Sequence, residues 1–160
     1  MLRALKSVLF LCTGNSARSI LAEAYFNHAA RGRYRAFSAG SHPTGVVNPL
    51  ALQTLERHGI AAPAARSKNW DEFAQPDAPQ IDFVITVCDS AAAELCPIWP
   101  GHPLKAHWGV PDPAALTGTD EQKRRAFEQA FTVLARRIDL FLALLAEKLD
   151  KKSLDEIGGR

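Results

Sequence analysis

Ser7-Val8-Leu9-Phe10-Leu11-Cys12-Thr13-Gly14-Asn15-Ser16-Ala17-Arg18-Ser19-Ile20-Leu21 is the stretch whose reading decides the fold. Ser7 to Cys12 is a continuous apolar run of strand length, the pattern of a strand buried in a parallel sheet. From Ser19 to Ala30 apolar residues return at Ile20, Leu21, Ala24, Tyr25 and Ala29, close to helical spacing. The stretch is therefore a strand, a short polar loop and a helix.

The same rhythm continues outward. Tyr34 to Ala39 predicts a second strand closed by Gly40, and Asn48-Pro49 opens a second helix, with Asn48 as its cap and Gly59 as its end. Phe83 to Val87 (FVITV) predicts a third buried strand, followed by a short helix through Ala91 to Leu95. A weaker fourth strand falls around Lys105 to Trp108. Asp120 to Leu149 is a long amphipathic segment with Phe127, Phe131, Leu134, Ile138, Leu142 and Leu145 near one face, suited to covering the sheet. The expectation is one domain over residues 1–150 and a solvated tail over 151–160. Alternating strands and helices predict an α/β fold with a four-stranded parallel sheet covered by helices on both faces. Ligands of such sheets bind beyond the carboxyl ends of the strands, where Cys12, Cys88 and the loop after Trp108 all fall.

Composition bounds the function. The 160 residues are 47% hydrophobic and 22% charged, with a formal net charge of +2, values that indicate no commitment to nucleic acid or membrane. Arg3 and Lys6 precede an apolar run that is too short for a signal peptide, and no stretch approaches the roughly 18 apolar residues of a membrane span. A cytoplasmic protein is expected. Three cysteines, Cys12, Cys88 and Cys96, are an odd number and argue for reactive thiols rather than a disulfide framework. Cys88, Cys96, His102 and His107 are spaced more widely than a zinc hook, so no metal is expected.

The chemistry concentrates between Cys12 and Ser19. A cysteine between a buried strand and a helix amino terminus faces unpaired backbone N–H groups and the positive end of the helix dipole, which favour its thiolate. Gly14 permits a positive φ, so that the loop Thr13, Gly14, Asn15, Ser16 and Ala17 folds its amides inward around an anion. Arg18 adds a planar fork of donors, Ser19 a hydroxyl for the sulfur, and Asn15 an internal brace. This combination reads as a tetrahedral-oxyanion site with Cys12 as nucleophile, against the plainer reading of a buried strand-end cysteine. Asp112, on the stiff loop Gly109-Val110-Pro111-Asp112-Pro113, is the candidate general acid, against a turn without chemistry. Cys88 and Cys96 are candidate redox thiols, against inert core cysteines.

These motifs resemble the low-molecular-weight protein tyrosine phosphatase superfamily and, within it, the arsenate reductases built on that fold. The resemblance spans nearly the whole chain through Val8 to Ser19, Ser38-Ala39-Gly40 and Asp112-Pro113. It implies a flavodoxin-like three-layer sandwich with Cys12 as nucleophile, Arg18 as oxyanion clamp and Asp112 as acid. Phosphatases of this size usually carry two aromatic residues after the Asp-Pro pair, where this chain has Ala114 and Ala115. Val87-Cys88-Asp89, Cys96-Pro97-Ile98-Trp99-Pro100 and His107-Trp108-Gly109 are similar to the reductases, in which the cysteine after the third strand resolves the intermediate. The implied reaction converts arsenate to arsenite through an arseno-cysteine on Cys12, with phosphate as a competitor; the alternative is phosphomonoester hydrolysis through a phospho-cysteine. No tightly bound cofactor is implied. The external reductant is thioredoxin, glutathione with glutaredoxin, or mycothiol, and the resolving thiol is Cys88 or a small molecule. A third, non-enzymatic reading is an oxyanion-sensing domain.

Overall fold

The computed structural model describes residues 5–88, 103–144 and 149–160. Four strands, β1 (Lys6–Leu11), β2 (Tyr34–Ala39), β3 (Phe83–Thr86) and β4 (Leu104–His107), form one parallel sheet in the order β2-β1-β3-β4. This is the expected α/β fold class. Pairing aligns Leu11 with Ala39 on one side and with Thr86 on the other, so the ends of β1, β2 and β3 lie level.

The apolar run of β1 serves both faces of the sheet. Val8, Phe10 and Cys12 join the larger core with α1 (Arg18–Ala30), α2 (Pro49–Arg57) and α3 (Asp120–Ala143), whereas Leu9 and Leu11 pack opposite, against Trp70, Phe73 and Ile81. Phe141 of α3 meets Phe26, Tyr34, Phe83 and Trp108 edge-on at ring distances of 5.3–6.3 Å. That aromatic cluster ties α1 and α3 to the strands beneath the site.

Two boundaries differ from the sequence reading, and one expected element falls outside the described residues. The long helix ends at Ala143 rather than Leu149, because Leu144 already has extended backbone. The helix anticipated from Ala91 to Leu95 lies outside the described residues, as does Cys96. The solvated tail is corrected: Lys151–Gly158 forms a helix, α4, capped by Asp150 and buried through Leu154 and Ile157. The Leu154 carbonyl accepts the Trp108 indole N–H at 2.9 Å, which satisfies a buried donor and fastens α4 beside β4.

Candidate active site

Cys12 follows β1 directly and is 5% exposed. Beyond it the chain must turn its amides inward, and the structure does this by holding the carbonyls outward. The Thr13, Gly14 and Ser16 carbonyls accept from the backbone N–H groups of His42, Thr44 and Asn48 at 2.9–3.0 Å, and the Ser67 hydroxyl also donates to Gly14. Because the C=O of one residue and the N–H of the next point oppositely, this turns the amides of Gly14, Asn15 and Ala17 into the loop. Gly40 permits the arrangement, since any Cβ there would collide with the Cys12 and Thr13 carbonyl oxygens. In the sequence Gly40 is legible as a strand end and as part of the Ser38-Ala39-Gly40 motif, but not as a support of the loop.

Asn15, not Gly14, carries the left-handed turn, with φ of 45°. Asparagine tolerates this conformation better than most residues. Asn15 is fully buried: its Nδ2 donates to the Ser19 hydroxyl at 2.8 Å and its Oδ1 accepts the Lys68 N–H at 2.9 Å. The expected brace is therefore present, and the Ser19 hydroxyl accepts it, which leaves its own proton to donate. Beneath the loop, burial raises the Glu23 carboxyl above its ordinary value against the Lys68 charge and a 2.6 Å hydrogen bond from Ser38. No sequence signal marks Ser67, Lys68 or Glu23 as supports.

At the mouth of α1 the capping position is Ala17, whose side chain offers no bond, and the first turn carries no acidic residue. Free N–H groups and the dipole are thereby left for an anion. Arg18 spreads its donors: Nη1 reaches the Val110 carbonyl at 2.8 Å and Nη2 lies 3.6 Å from Asp112 Oδ2. Its Nε is buried without a hydrogen-bond partner, an unsatisfied donor that an oxyanion would complete. Asp112 Oδ1 accepts the Ala114 N–H at 3.0 Å, so its two oxygens have separate tasks.

Cys88, just past β3, is buried against Thr13, and neither Cys12 nor Cys88 is in a disulfide. Its sulfur accepts the Thr13 N–H at 3.3 Å and lies 3.7 Å from the Thr13 hydroxyl. Here one expectation reverses. The hydrogen bond with Cys88 is the largest influence pushing the Cys12 thiol above its ordinary value, and burial adds to it; the Arg18 charge and the Gly14 N–H pull the other way. The sequence reading counts the dipole and amides but not the second sulfur. Two thiols in contact share the loss of one proton and resist losing the second. In Cys88→Ala the Cys12 thiol should therefore fall, and its alkylation by iodoacetamide at neutral pH should accelerate. An unchanged alkylation rate would show that Cys88 does not hold the Cys12 proton.

A four-stranded parallel sheet with a cysteine-and-arginine anion loop between β1 and α1 defines a class of phosphate-type oxyanion proteins. The chain belongs to the low molecular weight phosphotyrosine protein phosphatase family, whose model matches residues 7–153. It is 36% identical over 137 residues to an arsenate reductase of Bacillus licheniformis, covering 85% of this chain and 94% of that one. It is 35% identical over 136 residues to an arsenate reductase of Bacillus subtilis, with the same coverage. A solved arsenate reductase in its phosphate-binding state superposes with a TM-score of 0.67 at 26% identity, over 87% of this chain and 98% of the other.

Proposed function

We propose that this protein is a thiol-dependent arsenate reductase in which Cys12 is the nucleophile, Arg18 the oxyanion clamp, Asp112 the general acid and Cys88 the resolving thiol. The observation that carries the reading is a second buried cysteine outside any disulfide, Cys88, whose sulfur accepts the Thr13 N–H at 3.3 Å and so lies against the residue that follows Cys12 in the anion loop. Hydrolysis has no use for that sulfur; reduction does.

In this reading arsenate sits among the inward amides of Gly14, Asn15 and Ala17, with Arg18 across it. The Cys12 thiol passes its proton to an arsenate oxygen and its sulfur attacks arsenic; a sulfur–arsenic bond forms, one arsenic–oxygen bond breaks, and Asp112 protonates the departing oxygen so that it leaves as water. The Cys88 thiolate then attacks the Cys12 sulfur. The sulfur–arsenic bond breaks, arsenic keeps the electron pair and leaves as arsenite, and a Cys12–Cys88 disulfide remains. An external thiol reductant restores the pair, and resting cysteines outside a disulfide support a reaction in the reducing cytoplasm.

The phosphatase reading shares the first step, but Ala114 and Ala115 are small, exposed residues beside Asp112 and offer a substrate ring no platform. Purified protein supplied with arsenate and, in turn, thioredoxin, glutathione plus glutaredoxin, or mycothiol should release arsenite with at least one donor. Absence of arsenite with every donor, together with efficient hydrolysis of aryl phosphates, would replace this reading with the phosphatase.

A further inference from the structure

A buried cation stands behind the loop that carries Asp112. Arg137 lies on the inner face of α3 and is only 8% exposed. A hydrogen bond runs from its Nη1 to the Gly109 carbonyl at 3.1 Å, and its Nε is buried without a partner among the described residues. Burial alone acts on its guanidinium, lowering it from the ordinary value, and no carboxylate offsets this among the described residues.

Such a group is a poor way to fill a core, because a buried charge with no carboxylate beside it is costly and apolar side chains fill such space without that cost. What Arg137 does supply is an anchor. Between β4 and Asp112 the backbone is fixed step by step. Trp108 N–H donates to the Thr86 carbonyl at 2.7 Å and Val110 N–H to the Val87 carbonyl at 3.0 Å. The consecutive carbonyls of Gly109 and Val110 accept from two guanidinium groups, Arg137 of α3 and Arg18 of α1. Pro111 then stiffens the step to Asp112.

We propose that Arg137 is a positioning residue for Asp112: by holding the Gly109 carbonyl it fixes the loop that aims the Asp112 carboxyl at the anion loop. The inference rests on Asp112 being the acid in the reading above. Arg137 acts on turnover through Asp112 and through no contact with the substrate.

A double-mutant cycle tests it, with kcat/KM for arsenate measured in the full-length protein, in Asp112→Asn, in Arg137→Met and in the double variant. Arg137→Met keeps an unbranched apolar stem and removes the buried charge, so its melting temperature should hold. Its kcat/KM should fall by about 10-fold or more, within the ~10²-fold cost of a misplacement near 1 Å. In the Asp112→Asn background the same change should cost less than about 2-fold, because the group it positions is already gone. Equal losses in both backgrounds, or wild-type turnover in Arg137→Met, would overturn the proposal. Should Arg137→Met fail to fold, Arg137→Gln, which keeps a polar tip without the reach to Gly109, carries the same cycle under the same criteria. A full-activity Asp112→Asn would instead show that the acid assignment itself fails, an outcome visible in that single variant alone.

Discussion

Arg18→Lys should lower arsenate turnover by about 10²-fold or more, the scale lost when one preorganised donor to developing charge is removed. Arg18 performs three tasks with one planar group. Nη1 holds the Val110 carbonyl, Nη2 faces Asp112, and the buried Nε is left without a partner. A lysine ammonium keeps the charge but concentrates it at one point, so it cannot span the Val110 carbonyl and a bound oxyanion together. The loss should appear in kcat/KM with little change in melting temperature, since the loop carbonyls are held by His42, Thr44 and Asn48 independently of Arg18. Near-normal kinetics in Arg18→Lys would show that the arginine serves only to fasten the Val110 loop.

Cys88→Ser should abolish steady-state arsenate turnover while sparing the first chemical step. Serine retains an acceptor for the Thr13 N–H that Cys88 receives at 3.3 Å, so the anion loop keeps its support. Its hydroxyl cannot attack the Cys12 sulfur or form a disulfide. Arsenate should then react once and stall as the Cys12 adduct, whereas any hydrolysis of a small aryl phosphate, which needs only the loop, Arg18 and Asp112, should change little. Undiminished arsenate reduction in Cys88→Ser with every donor would make Cys88 a core residue and assign resolution to a small thiol. The Cys88→Ala alkylation experiment reads a separate property of the same pair, the hold of Cys88 on the Cys12 proton.

Much of the scaffold was legible because its signals are local. The apolar run before Cys12 and the near-helical spacing after Arg18 place a loop between β1 and α1 within one residue of the observed boundaries. Asn48-Pro49 carries its own cap chemistry, and the Asn48 carboxamide accepts the Leu50 N–H as such a cap should. The C-terminal helix was not legible: Leu154 and Ile157 are two apolar residues in a polar stretch, and the surfaces of β4, Trp108 and α3 give them somewhere to be buried.

By itself the sequence determined that a cysteine and an arginine share a short loop between a buried strand and a helix, because both lie within reach of one turn of chain and need no distant partner. The tertiary structure decided how that loop behaves. Parallel pairing of β1 with β3 brings together Thr13 and Cys88, 75 residues apart, and with them the second sulfur that reverses the direction expected for the Cys12 thiol. Close approach of Gly40 and the brace from Lys68 shift the left-handed turn to Asn15, and α1 and α3 supply the two guanidinium groups that hold the carbonyls before Asp112. Propensity and periodicity act over a few residues, whereas charge, burial and hydrogen bonding at the site depend on which distant segments the fold makes neighbours.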